Sequence, residues 1–343
     1  PRSTPLYSAA ASDVYKRQAN NIAYSALTAL ITRNNHERVQ MGSIRFMFAF
    51  GTSMLIQVIT VDIVNNLGGG ADAWRTVAIV YAIIGVISNT ISVFSVKEFS
   101  QKEIAKEETE KEEKYGLIDA FKLLVHNKYF LMICGAYLLM QIYSATLGMG
   151  IYFMKYVLGD EEIFGVFAWA INIPMIAGLL LTPILVKKLG GMYRLNIVGY
   201  IVGVLGRMGV LIAGYMGSIP IMLAFTAVAA LGMSPLQGDM NALIATTSEY
   251  TRLTTGKKVD RIMYSCTSFG TKVGGGIGTA IAGWLLAASG YVENAAVQSE
   301  SCLNMLHVMY LWLPMIFNIL ITIVLIKLNV EKTNAEIKES INN

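Results

Sequence analysis

The stretch SFGTKVGGGIGTAIAGWLLAASG, Ser268–Gly290, decides how the rest of this chain is read. A helix of about 20 apolar residues covers the hydrocarbon of a bilayer. This stretch is glycine, small residues and aliphatics around one charge, Lys272. Its full span is about 262–289, and seven runs of the same kind accompany it, at about 41–65, 77–97, 129–153, 163–186, 195–215, 219–245 and 306–327. A ninth, incomplete run lies at about 19–32. These runs predict an all-α polytopic membrane protein. Strands of a β-barrel would alternate over roughly 10 residues instead of staying apolar for twice as long, so that class is excluded.

Composition agrees. Of 343 residues, 54% are hydrophobic and 15% charged, and the mean hydropathy is +0.52; soluble domains carry about 25% charged residues. Cys134, Cys266 and Cys302 have no paired spacing and read as buried free thiols. The three histidines are far apart and form no metal set. No HExxH, Walker sequence, GxSxG or nucleophile–base set occurs, so no enzyme, metal centre or cofactor is expected. The net charge of +4 calls for no nucleic acid, because the basic residues cluster in short loops.

Those loops set the orientation, since cytoplasmic loops carry an excess of Lys and Arg. RNNHER (33–38), the segment 97–128, KKLGGMYR (187–194), TRLTTGKKVDR (251–261) and the tail from Lys327 hold most of them. The alternate loops NNLGGGADAWR, KYVLGDEE, YMGSIP and GYVENAAVQSES are poor in them. All the rich loops fall on one side, which places the C-terminus in the cytoplasm and the chain across the cell (cytoplasmic) membrane.

The charged segment 98–128 divides the chain as a central cytoplasmic loop, its Glu and Lys residues at helical spacing reading as a solvated face. Six spans follow in 129–328, ahead of a short tail, 329–343; two and a partial one precede it in 19–97. A six-plus-six architecture explains the second part and leaves the first short of most of four helices. Residues 1–18 carry neither a signal-peptide pattern nor a span and run abruptly into a helix in mid-course. They are expected to be a non-native leader, and the chain an N-terminally truncated form of a longer protein.

Lys272 lies well inside its span. A lone ammonium facing lipid costs about 2.5–3.5 kcal/mol on insertion scales, and intramembrane charges usually mark substrate or ion pathways. Lys272 is therefore expected to face a polar cavity; the competing reading is a static ion pair between helices. Thr267, Ser268 and Thr271 flank it, and Ser268 shares its face at one helical turn, so hydroxyl and ammonium together suit sugar hydroxyls. Gly270, Gly274 and Gly278 recur every four residues, which suits close helix packing or a contact that rocks. Arg45, a few residues into its own span, offers a bidentate guanidinium for a carboxylate or paired hydroxyls, or else an interfacial anchor. Asp62 reads as interfacial, Asp239 as a counter-charge for Lys272, and Arg207 has no assigned role.

Two segments carry a family resemblance. NIAYSALTALITRNNHERVQMGSIRFMFAF resembles the passage from the fourth to the fifth helix of the glycoside–pentoside–hexuronide:cation symporters, the melibiose-carrier-like branch of the major facilitator superfamily. Asn21, Thr32, Glu37, Arg38 and Arg45 match its pattern, with Ala23 where a proline is usual. SEYTRLTTGKKVDRIMYSCTSFGTKVGGGIGTAIAGWLLAASGY is similar to the family's acidic-Tyr loop, Tyr-Ser element and helix-eleven lysine, matched by Glu249, Tyr250, Gly256, Tyr264, Ser265 and Lys272. YFMKYVLGD is a weaker match. The resemblance covers residues 19 to 328.

It implies a major facilitator fold lacking roughly its first four helices and a secondary active transporter that takes up a sugar or glycoside with Na⁺ or H⁺. The protein would act as a monomer in the bilayer with no cofactor. By position, Asn21 and Arg45 would bind substrate from one bundle, and Thr267, Ser268, Thr271 and Lys272 from the other. Lys272 would also take part in cation coupling, with Arg38 and Glu249 at the cytoplasmic gate. The melibiose-carrier form has an aspartate where Asn21 stands, and Thr246 replaces a usual acid. The alternative is a major facilitator exchanger of organic anions, with Lys272 and Arg45 clamping a carboxylate.

Overall fold

The computed structural model describes residues 34–95, 117–160, 162–257, 263–292, 295 and 297–342. Among them every regular element is helical: α1 (Asn35–Asn66), α2 (Gly70–Ser95), α3 (Leu117–His126), α4 (Lys128–Gly148), α5 (Gly150–Tyr156), α6 (Ile163–Leu189), α7 (Met192–Tyr215), α8 (Ile219–Thr255), α9 (Ser265–Ala288), α10 (Glu300–His307), a π-helical turn (Val308–Trp312), α11 (Leu313–Lys327) and α12 (Val330–Asn342). Seven helical stretches among them are long and apolar enough to cross a membrane: His36–Ile56, Gly70–Ser92, Lys128–Tyr156, Ile163–Leu189, Met192–Tyr215, Ile219–Thr255 and Glu300–Ile341. The eighth expected span is the helix α9, whose glycines, threonines and Lys272 dilute its apolar character. Large apolar side chains stand exposed along most of these helices, as a lipid-facing surface requires.

Helix ends follow from local chemistry. Asn127 caps α4, accepting from the backbone N–H groups of Tyr129 and Phe130. Ser299 does the same for α10 through Cys302. α6 and α8 end on Gly190 and Gly256 at φ 75° and 70°, left-handed positions that glycine takes without strain. Inside α8, Pro235 donates no hydrogen bond to the carbonyl of Leu231, and the Ser234 hydroxyl supplies one at 2.7 Å. Two boundaries depart furthest from expectation. α2 begins at Gly70 because Asp72 suits a helix N-terminus, which confines the loop to Leu67–Gly69. α8 runs ten residues past its expected end at 245, its extra turns supported by α12.

Packing arranges the helices as an arc. α9 lies on α4, α4 on α11, α11 on α7, α7 on α8 and α8 on α6; α1 covers α6 and α8, with α2 beyond it. The α7–α8 and α1–α8 crossings are backbone on backbone: no Cβ fits at Gly199 or Gly232 in the first, nor at Gly42 or Gly238 in the second. The main core joins α4, α7, α8 and α11 around Tyr200, Leu236, Leu243, Ile244 and Ile321. α12 straps one end of this bundle. Glu331 accepts from the N–H groups of Met192 (3.2 Å) and Tyr193 (2.8 Å) at the start of α7. Asn334 donates to the Thr246 carbonyl of α8 at 2.8 Å, and Thr333 meets the Tyr129 hydroxyl of α4 at 2.7 Å.

Candidate functional site

The glycine repeat fixes which way Lys272 points. Gly270, Gly274 and Gly278 lie directly on α4, where an added Cβ would strike Tyr137, the backbone of Leu138, and Ala145, respectively. Lys272 is two residues from Gly270 and from Gly274, about 200° round the helix from each, so it stands on the opposite face. That face is exposed: Thr271, Lys272, Gly276 and Thr279 are exposed, while Ser268 and Gly275 are half-buried. Nothing lies within 4 Å of where a Cβ on Gly275 or Gly276 would stand. The stripe is polar and narrow. Beside it on the same helix Phe269 and Trp284 present an apolar exposed surface. Lys272 is the eighth residue of α9, about 10 Å in from its first residue, which puts the ammonium well inside the helix. The hydroxyls of Thr271 and Thr279 bond back to the carbonyls of Ser268 and Gly275 at 3.2 and 2.9 Å, and their oxygens keep acceptor capacity. Thr279, seven residues beyond Lys272, belongs to the stripe and was legible at helical spacing, yet it is absent from the expected set.

The other expected residues are placed as follows. Arg45 sits half-buried on α1, its guanidinium 5.9 Å from the Phe46 ring centroid, one turn along from Gly42 on the flank that meets α8. α1 therefore packs on α6 and α8 while α9 packs on α4, and packing does not pair Arg45 with Lys272. Arg38, the fourth residue of α1, is half-buried. Glu249, near the end of α8, bonds Lys338 of α12 at 2.8 Å and lies 3.9 Å from Arg252. Asn21 and the side chain of Thr267 lie outside the described residues. Asp239 is not the counter-charge of Lys272: it is fully buried between α8 and α7 and accepts from Asn196 at 2.8 Å.

A second polar set, unanticipated apart from its two charges, occupies the interior. Asn196, Tyr200 and Arg207 share one face of α7. Arg207 is buried, hydrogen-bonds the Tyr143 hydroxyl of α4, and lies 5.1 Å from the centroid of that ring. Its Nε and Nη1 have no hydrogen-bond partner. The i, i+4, i+11 spacing on an otherwise apolar helix was the available signal.

The assembly is all-helical among the described residues, with seven stretches long and apolar enough to cross a membrane and a polar, charged stripe on α9. The chain belongs to the major facilitator family described as MFS/sugar transport protein, whose model matches residues 18–332. It is similar to the isoprimeverose transporter of Lactiplantibacillus pentosus, with 26% identity over 304 residues, 87% of this chain and 61% of that one. It is also similar to the glucuronide carrier protein homolog of Escherichia coli (strain K12), with 26% identity over 287 residues, 82% of this chain and 60% of that one. The chain thus spans about three fifths of the length of these curated relatives.

Proposed function

We propose that the protein is a secondary active transporter that takes up a sugar or glycoside together with Na⁺ or H⁺ by alternating access. The carrying observation is the exposed stripe of Ser268, Thr271, Lys272 and Thr279 opposite the glycines that seat α9 on α4. A lysine and hydroxyls facing lipid would be costly, whereas the same groups facing a watery cavity match the donors and acceptors of a sugar. The similarity to an isoprimeverose transporter and a glucuronide carrier homolog supports a glycoside as the ligand class.

In this reading Ser268, Thr271 and Lys272, with Thr267, line the pathway from the larger bundle, α4 to α11, and Lys272 links sugar to cation. Asn21 and Arg45 contribute from the bundle of α1 and α2. Arg38 and Glu249 close the cytoplasmic side; in this conformation Glu249 is held by Lys338. In this reading the charged segment 98–128 joins the bundles, and the excess of Lys and Arg in the loops on its side supports a cytoplasmic position for it and for α12 in a cell-membrane protein. Uptake of labelled xylosides, glucuronides and galactosides into vesicles carrying the complete gene product, with and without imposed Na⁺ or pH gradients, tests this. Gradient-driven accumulation of one glycoside class is expected. Exchange of an organic anion with no glycoside uptake would contradict it.

A further inference from the structure

Among the described residues Asp239 is the one acidic side chain that is wholly buried, and the pathway stripe makes no use of it. Asn196, its partner, is the fifth residue of α7, about 6 Å from that helix's first residue, so the pair sits just inside the end strapped by α12. Asn196 Nδ2 donates to Asp239 Oδ2 at 2.8 Å. Asp239 Oδ1 and Asn196 Oδ1 both lack a partner, as does the buried Tyr200 hydroxyl one turn further along α7. An ionised carboxylate only accepts, so it cannot serve the orphaned amide oxygen. With a proton on Oδ1 the carboxyl becomes a donor, and the amide oxygen is the acceptor left over. A single proton thus supplies a donor to a buried pair that holds two unpartnered acceptors.

We infer that Asp239 is a proton-binding residue, that Asn196 shares the proton, and that this is the proton coupled to transport. The coupling role rests on the transport reading above; the proton site does not. Space is limited, since α7 and α8 touch backbone to backbone at Gly199, one turn along α7 from Asn196, and at Gly232, two turns along α8 from Asp239. The surroundings supply no cation at hydrogen-bond distance. α7 brings Tyr193 and Arg194 in its first turn, Tyr200 and, two turns further on, Arg207, which is engaged with Tyr143 of α4; α4 also carries Lys128 and Tyr129 at its start and Tyr137 further along. α12 brings Glu331, a second negative charge near Asp239. The only charges of α6 are Lys187 and Lys188 in its last turn. α1 carries His36, Glu37 and Arg38 near its start, Arg45 beside Phe46, and Asp62 near its far end.

Infrared difference spectroscopy of the protein in lipid, between acidic and alkaline pH, reads the site directly. The expected result is a carbonyl stretch of a protonated carboxylic acid at neutral pH that vanishes in Asp239→Asn and shifts in Asn196→Ala. If Asp239→Asn does not insert, Asn196→Ala retains the carboxyl and carries the test through its band shift. Absence of any band assigned in these ways overturns the proton site. In vesicles, Asp239→Asn is expected to lose accumulation driven by a pH gradient while retaining gradient-free sugar exchange. Accumulation that persists in the variant, or that only Na⁺ drives in the wild type, overturns the coupling role. A wild type that moves no glycoside counts against the transport reading, and the infrared band still decides the proton site.

Discussion

Lys272 and Arg207 are both cations inside helices of a membrane protein, and their surroundings separate their roles. Arg207 is enclosed, with Tyr143 at one Nη and beneath the guanidinium. Removing the hydroxyl in Tyr143→Phe leaves a buried charge short of an acceptor and is expected to cost about 1–3 kcal/mol. Arg207→Met removes the charge and leaves only the neutral Tyr143 hydroxyl unpaired, so its loss is expected to be the smaller of the two. Thermal unfolding in detergent compares the two, and a larger loss for Arg207→Met would contradict the local account. Lys272 stands on an exposed face. Lys272→Ala is expected to leave unfolding within about 0.5 kcal/mol of wild type, as surface changes do, while glycoside accumulation is lost. Unchanged accumulation would remove Lys272 from the pathway. Its position inside an apolar run was legible in the sequence. The identity of its neighbours was not, because Asp239 seemed available until packing buried it against Asn196.

Between elements, the α4–α9 contact depends on what three glycines lack. At Gly274 a Cβ would lie 2.8 Å from the Leu138 carbonyl oxygen and 3.0 Å from its Cα, so even alanine pushes the helices apart. Gly274→Ala is expected to cost about 1–3 kcal/mol as overpacking. Gly276→Ala, about 200° round the helix in open space, is expected to be neutral or stabilising, because alanine favours a helix by about 1 kcal/mol over glycine. Equal effects in the two variants, measured by thermal unfolding, would show that the repeat is not a contact. The small-residue spacing revealed this element's packing face; it did not reveal the partner helix, since close approach is possible wherever backbones meet. The extra turns of α8 escaped notice for a related reason. Residues 246–255 are polar and read as a loop, yet the strap α12 holds them helical through Asn334 on the Thr246 carbonyl and Lys338 on Glu249.

For the whole molecule, α12 links the start of α7, the end of α8 and the start of α4 through Glu331, Asn334, Lys338 and Thr333. Glu331→Ala removes an acceptor from two N–H groups at a helix N-terminus and is expected to cost about 0.5–2 kcal/mol. Lys338→Ala breaks a half-exposed pair worth about 0.2–1 kcal/mol. A melting temperature untouched by Glu331→Ala would mean that the tail helix does not brace the bundle. The span pattern and the basic loops were readable because hydropathy and charge are properties of single segments. The order in which helices pack was not, because eight apolar helices can pack in many orders and only side-chain fit selects one. The central claim is that the Lys272 stripe faces the substrate pathway and not lipid. Its most direct measurement is the reaction of Lys272→Cys, in the complete gene product with Cys134, Cys266 and Cys302 replaced, with a membrane-impermeant thiol reagent, with and without glycoside. Rapid modification slowed by the transported sugar is the expected result. Modification by lipid-soluble reagents alone, indifferent to sugar, would contradict it.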